Sequence, residues 1–187
     1  MITNFVKVIC AAGLWLCTIS SAAAQENYHQ LNVKDFRGAL QSKGDNAIAY
    51  THCTIDYHYH VIGENNHYNL TFEVQLILDH DQSWLDKRRV LSQQMMADIL
   101  KHEQGHYTIA YMEQQEILRE ASHTHFDANY EAEAKGLFNR IHTKYERLNL
   151  NYDDDTHHML DAIQQHSWDV YFQRRLAFMP PVEIARN

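Results

Sequence analysis

Disulfides have almost no raw material in this chain. It holds three cysteines, and two of them, Cys10 and Cys17, fall in an apolar N-terminal stretch. If that stretch is removed, Cys53 stands alone and no internal crosslink can form. Proline is as scarce: both prolines stand at 180 and 181, and from Asp86 to that point only Gly105 and Gly136 interrupt the chain. Nothing in that span forces a helix to stop. Positive charge is also short. A formal net charge of -8, with no basic stripe, excludes the electrostatic footprint of a nucleic-acid binder. The apolar run from Val8 to Ile19 falls short of the roughly 20 residues a membrane span takes, and no stop-transfer pattern follows it.

That run has another use. Lys7, the apolar segment and then Ala22-Ala23-Ala24 before Gln25 have the anatomy of a secretory signal peptide with a small-x-small cleavage site. The expectation is a leader over residues 1–24 and a single domain over 25–187, periplasmic or secreted, with no stable membrane span after cleavage. A lipoprotein would use Cys17, but Trp15 and Leu16 stand where small residues are wanted. An apolar content of 45% in 187 residues is enough for one ordinary core. Without disulfides that core must hold the exported domain, with a bound metal as the available supplement.

From Ala47 the residues alternate. Cys53, Ile55, Tyr57, Tyr59 and Val61 fall on one side, and His52, Thr54, Asp56, His58 and His60 on the other. Period two is a half-buried strand. After "IGENNH", the run "YNLTFEVQLIL" repeats the pattern, so the two strands are expected to pair as an antiparallel hairpin. Beyond Asp86 apolar residues recur at helical spacing. Helices are predicted from about Leu91 to Ser122, Asn129 to Leu148 and Thr156 to Phe178, the third capped by Asp155 or Thr156. The predicted fold is α+β: a small antiparallel sheet followed by a three-helix half.

The first long helix contains "LKHEQGHYTIA", in which His102, Glu103 and His106 read His-Glu-x-x-His. Four residues are just over one helical turn, so both imidazoles project from one face and can bind one Zn2+. Glu103 lies beside the first ligand, where it can accept a proton from a water that the metal activates. With 14 histidines in the chain, such a motif is expected by chance about 0.06 times. Met95, Ile99, Ile109 and Met112 flank it and bury that helix in a core. Gly105 is out of place in a helix interior, where it costs about 1 kcal/mol against Ala. Its missing side chain is expected to admit a close neighbour or substrate beside the site.

A catalytic zinc takes a third protein ligand. Candidates are His123 and His125 after the motif helix, His142, and the cluster Asp153, Asp154, Asp155, His157 and His158. The first two lack the glycine and Met-turn that a metzincin spacing requires. His142 reads as an exposed helical histidine. The cluster is the better source, because it is expected to open a helix facing the motif.

Here the pairing of "LKHEQGHYTIA" with "YDDDTHHMLDAIQQHSW" resembles a bacterial family of secreted zinc-dependent proteases, first catalogued as a domain of unknown function. The first block is matched at Leu100, His102, Glu103, Gln104, His106, Ile109 and Ala110. The second is matched at Tyr152, Asp153, Thr156 and His158, with Gln165 and Trp168 beyond. Tyr107 and Thr108 depart from the family's Phe-Asp, Asp155 replaces Glu, and Met159 replaces Gly. The resemblance implies a gluzincin-like metallopeptidase with His102, His106 and His158 on zinc, Asp155 as the rival third ligand and His157 behind it. Tyr152, in the matched block, is a candidate oxyanion donor.

The strand histidines His52, His58 and His60 read as a solvated face or a cleft lining, and Cys53 as a buried small hydrophobe. The expectation is thus a zinc metallopeptidase acting on a peptide or protein, with Glu103 as general base. The alternative is a non-hydrolytic zinc-binding module of the cell envelope using the same ligands.

Overall fold

A computed structural model describes residues 28–41, 47–64 and 67–179. The expected leader lies outside them. The alternating segments form strands β2 (Cys53–Glu64) and β3 (His67–Leu78), paired antiparallel from Cys53 against Leu78 to Glu64 against His67. Side chains alternate between faces along a strand, and here the two faces separate by polarity. Ile55, Tyr57, Phe72 and Val74 pack on the helical core, while Thr54, Asp56, His58 and His60 are exposed. Tyr57 lies flat on Phe138, with ring centroids 3.4 Å apart, and ties the hairpin to the helices.

A second, minimal sheet joins β1 (Ala49–Tyr50) to β4 (Trp84–Leu85), also antiparallel. It holds the segment before the hairpin against the turn after it. Then come helices α1 (Gln93–His123), α2 (Tyr130–Thr156) and α3 (Ala162–Ala177). The fold is α+β, a small antiparallel β region of two sheets followed by three helices.

α1 starts at Ser92, whose side chain accepts from the Met95 amide at 3.0 Å. Its buried residues include Ile109, Met112 and Ile117, which meet Phe138, Ile141 and Tyr145 of α2. The central helix therefore carries the motif between the hairpin and the other two helices.

The expected boundary between the second and third helices is wrong. The second was expected to end near Leu148, but α2 continues to Thr156, and the third begins only at Ala162. Its cap is Asp161, whose side chain accepts from the Ile163 and Gln164 amides, not Asp155 or Thr156. Three successive acids near a helix C-terminus oppose its dipole, and Asp155 and Thr156 are residue types that favour a helix start. Tertiary contacts override that preference: Tyr152 is 0% exposed, and its hydroxyl donates to the His102 carbonyl of α1 at 3.0 Å.

Candidate metal centre

His102 and His106 stand one turn apart on α1, and their Nε2 atoms lie 3.3 Å from each other. Asp153, in the last turn of α2, brings Oδ1 to 3.2 Å from His102 Nε2 and 3.1 Å from His106 Nε2. Ligand atoms of these three residues lie within 4.8 Å of one another. Among the described residues no other group of three such side chains converges in this way.

Each imidazole is fixed from behind. His102 Nδ1 meets Gln165 Oε1 at 3.2 Å, and His106 Nδ1 meets Asn149 Oδ1 at 2.7 Å. An amide oxygen only accepts, so each Nδ1 carries its hydrogen and each Nε2 can offer a lone pair to a cation. Gln165 in turn donates through Nε2 to the Tyr152 hydroxyl at 2.9 Å and to Asp169 Oδ1 at 3.0 Å. Asp169 also pairs with Lys101. A chain of bonds thus runs from the surface to the first imidazole.

Glu103 is 4% exposed, and Thr51 donates to its Oε2 at 2.6 Å. The carboxylate is held by a hydroxyl from the segment after β1, with its other oxygen left for chemistry. His102, Glu103, His106, Asp153, Asn149 and Thr51 border a cleft of about 820 Å³. Its lining takes Thr51, His52 and Cys53 from around the start of the hairpin and Asn149, Asp153 and His158 from the end of α2 and the turn after it.

The charges reinforce one another. Burial on its own lowers His106, but the Asp153 hydrogen bond, the Glu103 and Asp153 charges and the Asn149 bond outweigh it and push His106 up to about 9. Burial raises Asp153, yet the bonds to His102 and His106 and their charges win and hold its carboxyl far below the usual carboxylate range. The centre is therefore a place for positive charge. Burial, with Glu103 nearby, pushes the Cys53 thiol up to about 12, so it is no nucleophile.

Of the expected site residues, the structure brings together His102, Glu103 and His106. The third donor packed with the imidazoles is Asp153, not the expected His158. His158 stands just outside: its Nδ1 is 3.2 Å from Asp153 Oδ1, and its side chain is 61% exposed. Asp155, the rival, accepts from Trp168 Nε1 at 3.0 Å and is turned to that helix instead. His157 caps α2 in the left-handed conformation, with its amide on the Asp153 carbonyl. Tyr152 does not present its hydroxyl as an oxyanion donor. It donates to the His102 carbonyl at 3.0 Å, with its ring stacked on the His102 imidazole. It braces the His102 imidazole.

Gly105 has the close neighbour that its bare backbone implied: a Cβ there would run into the Tyr152 ring. The histidines away from the site are bland. His58 and His60 face solvent beside Asp56 and Glu73, His123 and His125 are exposed, and His142 bonds Glu113 at 2.9 Å. His52 lines the cleft. Thr51, Asn149 and Gln165 were missed as site residues. Asn149 had one usable signal, its position a turn before Asp153, which needs α2 to extend past Leu148.

A family model described as "Bacterial protein of unknown function (DUF922)" matches residues 17–159. No curated protein and no solved structure matches the chain.

Proposed function

The chain belongs to the DUF922 family of bacterial proteins, whose description assigns no activity, and from the cleft itself we propose that it is an exported zinc-dependent metallopeptidase. The observation that carries this reading is the convergence of His102 Nε2, His106 Nε2 and Asp153 Oδ1 beside a buried Glu103. Two imidazoles and a carboxylate, with the imidazoles backed by amide oxygens, are a donor set suited to Zn2+ and leave a position open.

When bound, zinc would supply Lewis acidity, polarising a substrate carbonyl and lowering the pKa of water toward about 7. The chain's own residues do the rest. Glu103 takes the proton of the attacking water and returns it to the leaving amine. Thr51 fixes the carboxylate for that transfer by its bond to Oε2. Gln165 and Asn149 hold the imidazoles in one tautomer and orientation. The wall from Ala47 to Cys53 includes the short strand β1, along which an extended peptide can lie.

The second reading, a non-hydrolytic zinc-binding module of the cell envelope, draws on His158, a fourth donor within reach of Asp153. Zinc analysis of the purified protein and a quenched-fluorescent peptide library decide between them. The peptidase takes up one zinc per chain and cleaves the library, and Glu103→Gln retains the zinc but loses cleavage. Uptake without cleavage in the wild type favours the module, and no zinc uptake overturns both.

A further inference from the structure

We propose that His158 is a displaceable fourth donor to the same ion, closing the coordination sphere at rest and leaving it when a substrate group arrives. The inference rests on the reading of the centre as a zinc site. Its warrant is the arrangement around one oxygen. Asp153 Oδ1 is approached by three imidazole nitrogens, His102 Nε2 and His158 Nδ1 at 3.2 Å and His106 Nε2 at 3.1 Å.

Packing does not explain the third of these. The His158 side chain is 61% exposed, so no core holds it over the carboxylate. The backbone delivers it there. His157, His158 and Met159 all have positive φ, at 47°, 50° and 76°. Consecutive residues with side chains avoid that region, because Cβ crowds the following carbonyl. The turn is kept by backbone bonds, His158 N to the Asp153 carbonyl at 3.2 Å and Asp161 N to the Thr156 carbonyl at 2.9 Å. Its result is to place the His158 imidazole among the residues that line the cleft.

His158 is nonetheless outside the set of donors that converge within 4.8 Å, and its ring centroid is 6.5 Å from that of His102. It stands beside the three converging donors, tied to Asp153 and exposed on its other side. An imidazole so placed competes with water for the fourth position of a tetrahedral ion. Because it is exposed, it can swing out without opening the core. The three other donors, fixed by Asn149, Gln165 and the two helices, stay where they are.

The experiment compares the wild-type protein with His158→Ala, with His157→Ala as the neighbouring control. Zinc affinity is read by competition with a chromophoric chelator. The cobalt-substituted forms are titrated with acetohydroxamate and followed by visible spectroscopy. Expected for His158→Ala is one ion per chain, zinc affinity lower by about tenfold, and a cobalt spectrum altered by loss of a nitrogen donor. The variant also binds hydroxamate about fivefold tighter, because no side chain must first be displaced. His157→Ala keeps the wild-type spectrum.

Unchanged zinc affinity, spectrum and hydroxamate binding in His158→Ala would overturn the inference. So would complete loss of the ion, which would make His158 an obligate ligand. If the wild type binds no ion, the metal reading itself falls. If the wild type binds the ion and cleaves peptide while the variant matches it throughout, only the role of His158 falls.

Discussion

Gly105 and Tyr152 are fitted to each other across two helices. A Cβ on Gly105 would stand 2.6 Å from Tyr152 Cε1, closer than packed carbons come. The ring can lie against α1 only because that position has no side chain. From there its hydroxyl reaches the His102 carbonyl, and its chain neighbour Asp153 reaches both imidazoles. The glycine is thus part of how the third donor arrives.

Gly105→Ala therefore sets two effects against each other. Helix propensity favours alanine by about 1 kcal/mol, whereas overpacking the ring costs about 1–3 kcal/mol. The clash involves a fully buried ring that cannot swing away, so net destabilisation of about 1–2 kcal/mol in urea unfolding is expected, with weaker zinc binding. A more stable variant with unaltered zinc affinity would show that the fit between the two residues has no bearing on the site.

Removing the amide behind a ligand should weaken the centre without unfolding the protein. Asn149→Ala leaves His106 Nδ1 without its 2.7 Å partner, and zinc affinity is expected to fall about 10–100-fold. Asp155→Asn, a change in a residue turned to Trp168, should leave it alone. Chelator competition on both variants tests the assignment, and equal losses would contradict it.

The difference between those two acids was not legible in the sequence. Asp153 and Asp155 lie in one run, and a reading that starts a helix there makes Asp155 a cap, while the family resemblance hands the metal to His158. Extending α2 through the run turns Asp153 toward α1 and Asp155 toward α3. The motif histidines needed no such information, because four residues along a helix share a face whatever surrounds it.

His157 offers a stability test. It caps α2 at φ 47°, a conformation that glycine adopts without the Cβ penalty. His157→Gly is expected to stabilise the protein by about 1 kcal/mol, visible as a raised melting temperature. A lowered one would mean that the imidazole makes a contact worth more than the strain.

Glu116 couples stability to pH. Its carboxylate accepts from Lys144 at 2.6 and 2.7 Å and from the Tyr145 hydroxyl at 2.9 Å. Burial alone would raise it, but those bonds and the Lys144 and Arg119 charges outweigh burial and hold it below its ordinary 4.5. A group lowered on folding stabilises the fold above its unfolded value, and that contribution is lost as pH falls through the folded one. Glu116→Gln should lower the melting temperature by about 4 °C at neutral pH, and the gap should close as pH falls below the ordinary carboxylate value. A constant difference across that range would remove Glu116 as the cause.

What the sequence by itself determined is local. Period two made the hairpin and its polar face, the proline-free helical spacing made the long helices, and the spacing of His102 and His106 made a pair of imidazoles that can share one ion. Thr51 on Glu103, Asn149 and Gln165 behind the imidazoles, and Asp153 rather than His158 converging with those imidazoles were decided by tertiary structure. Each depends on how far α2 runs and how closely it approaches α1. Those quantities are set by the burial of Tyr152 against Gly105, a contact between residues far apart in the chain that no local propensity encodes.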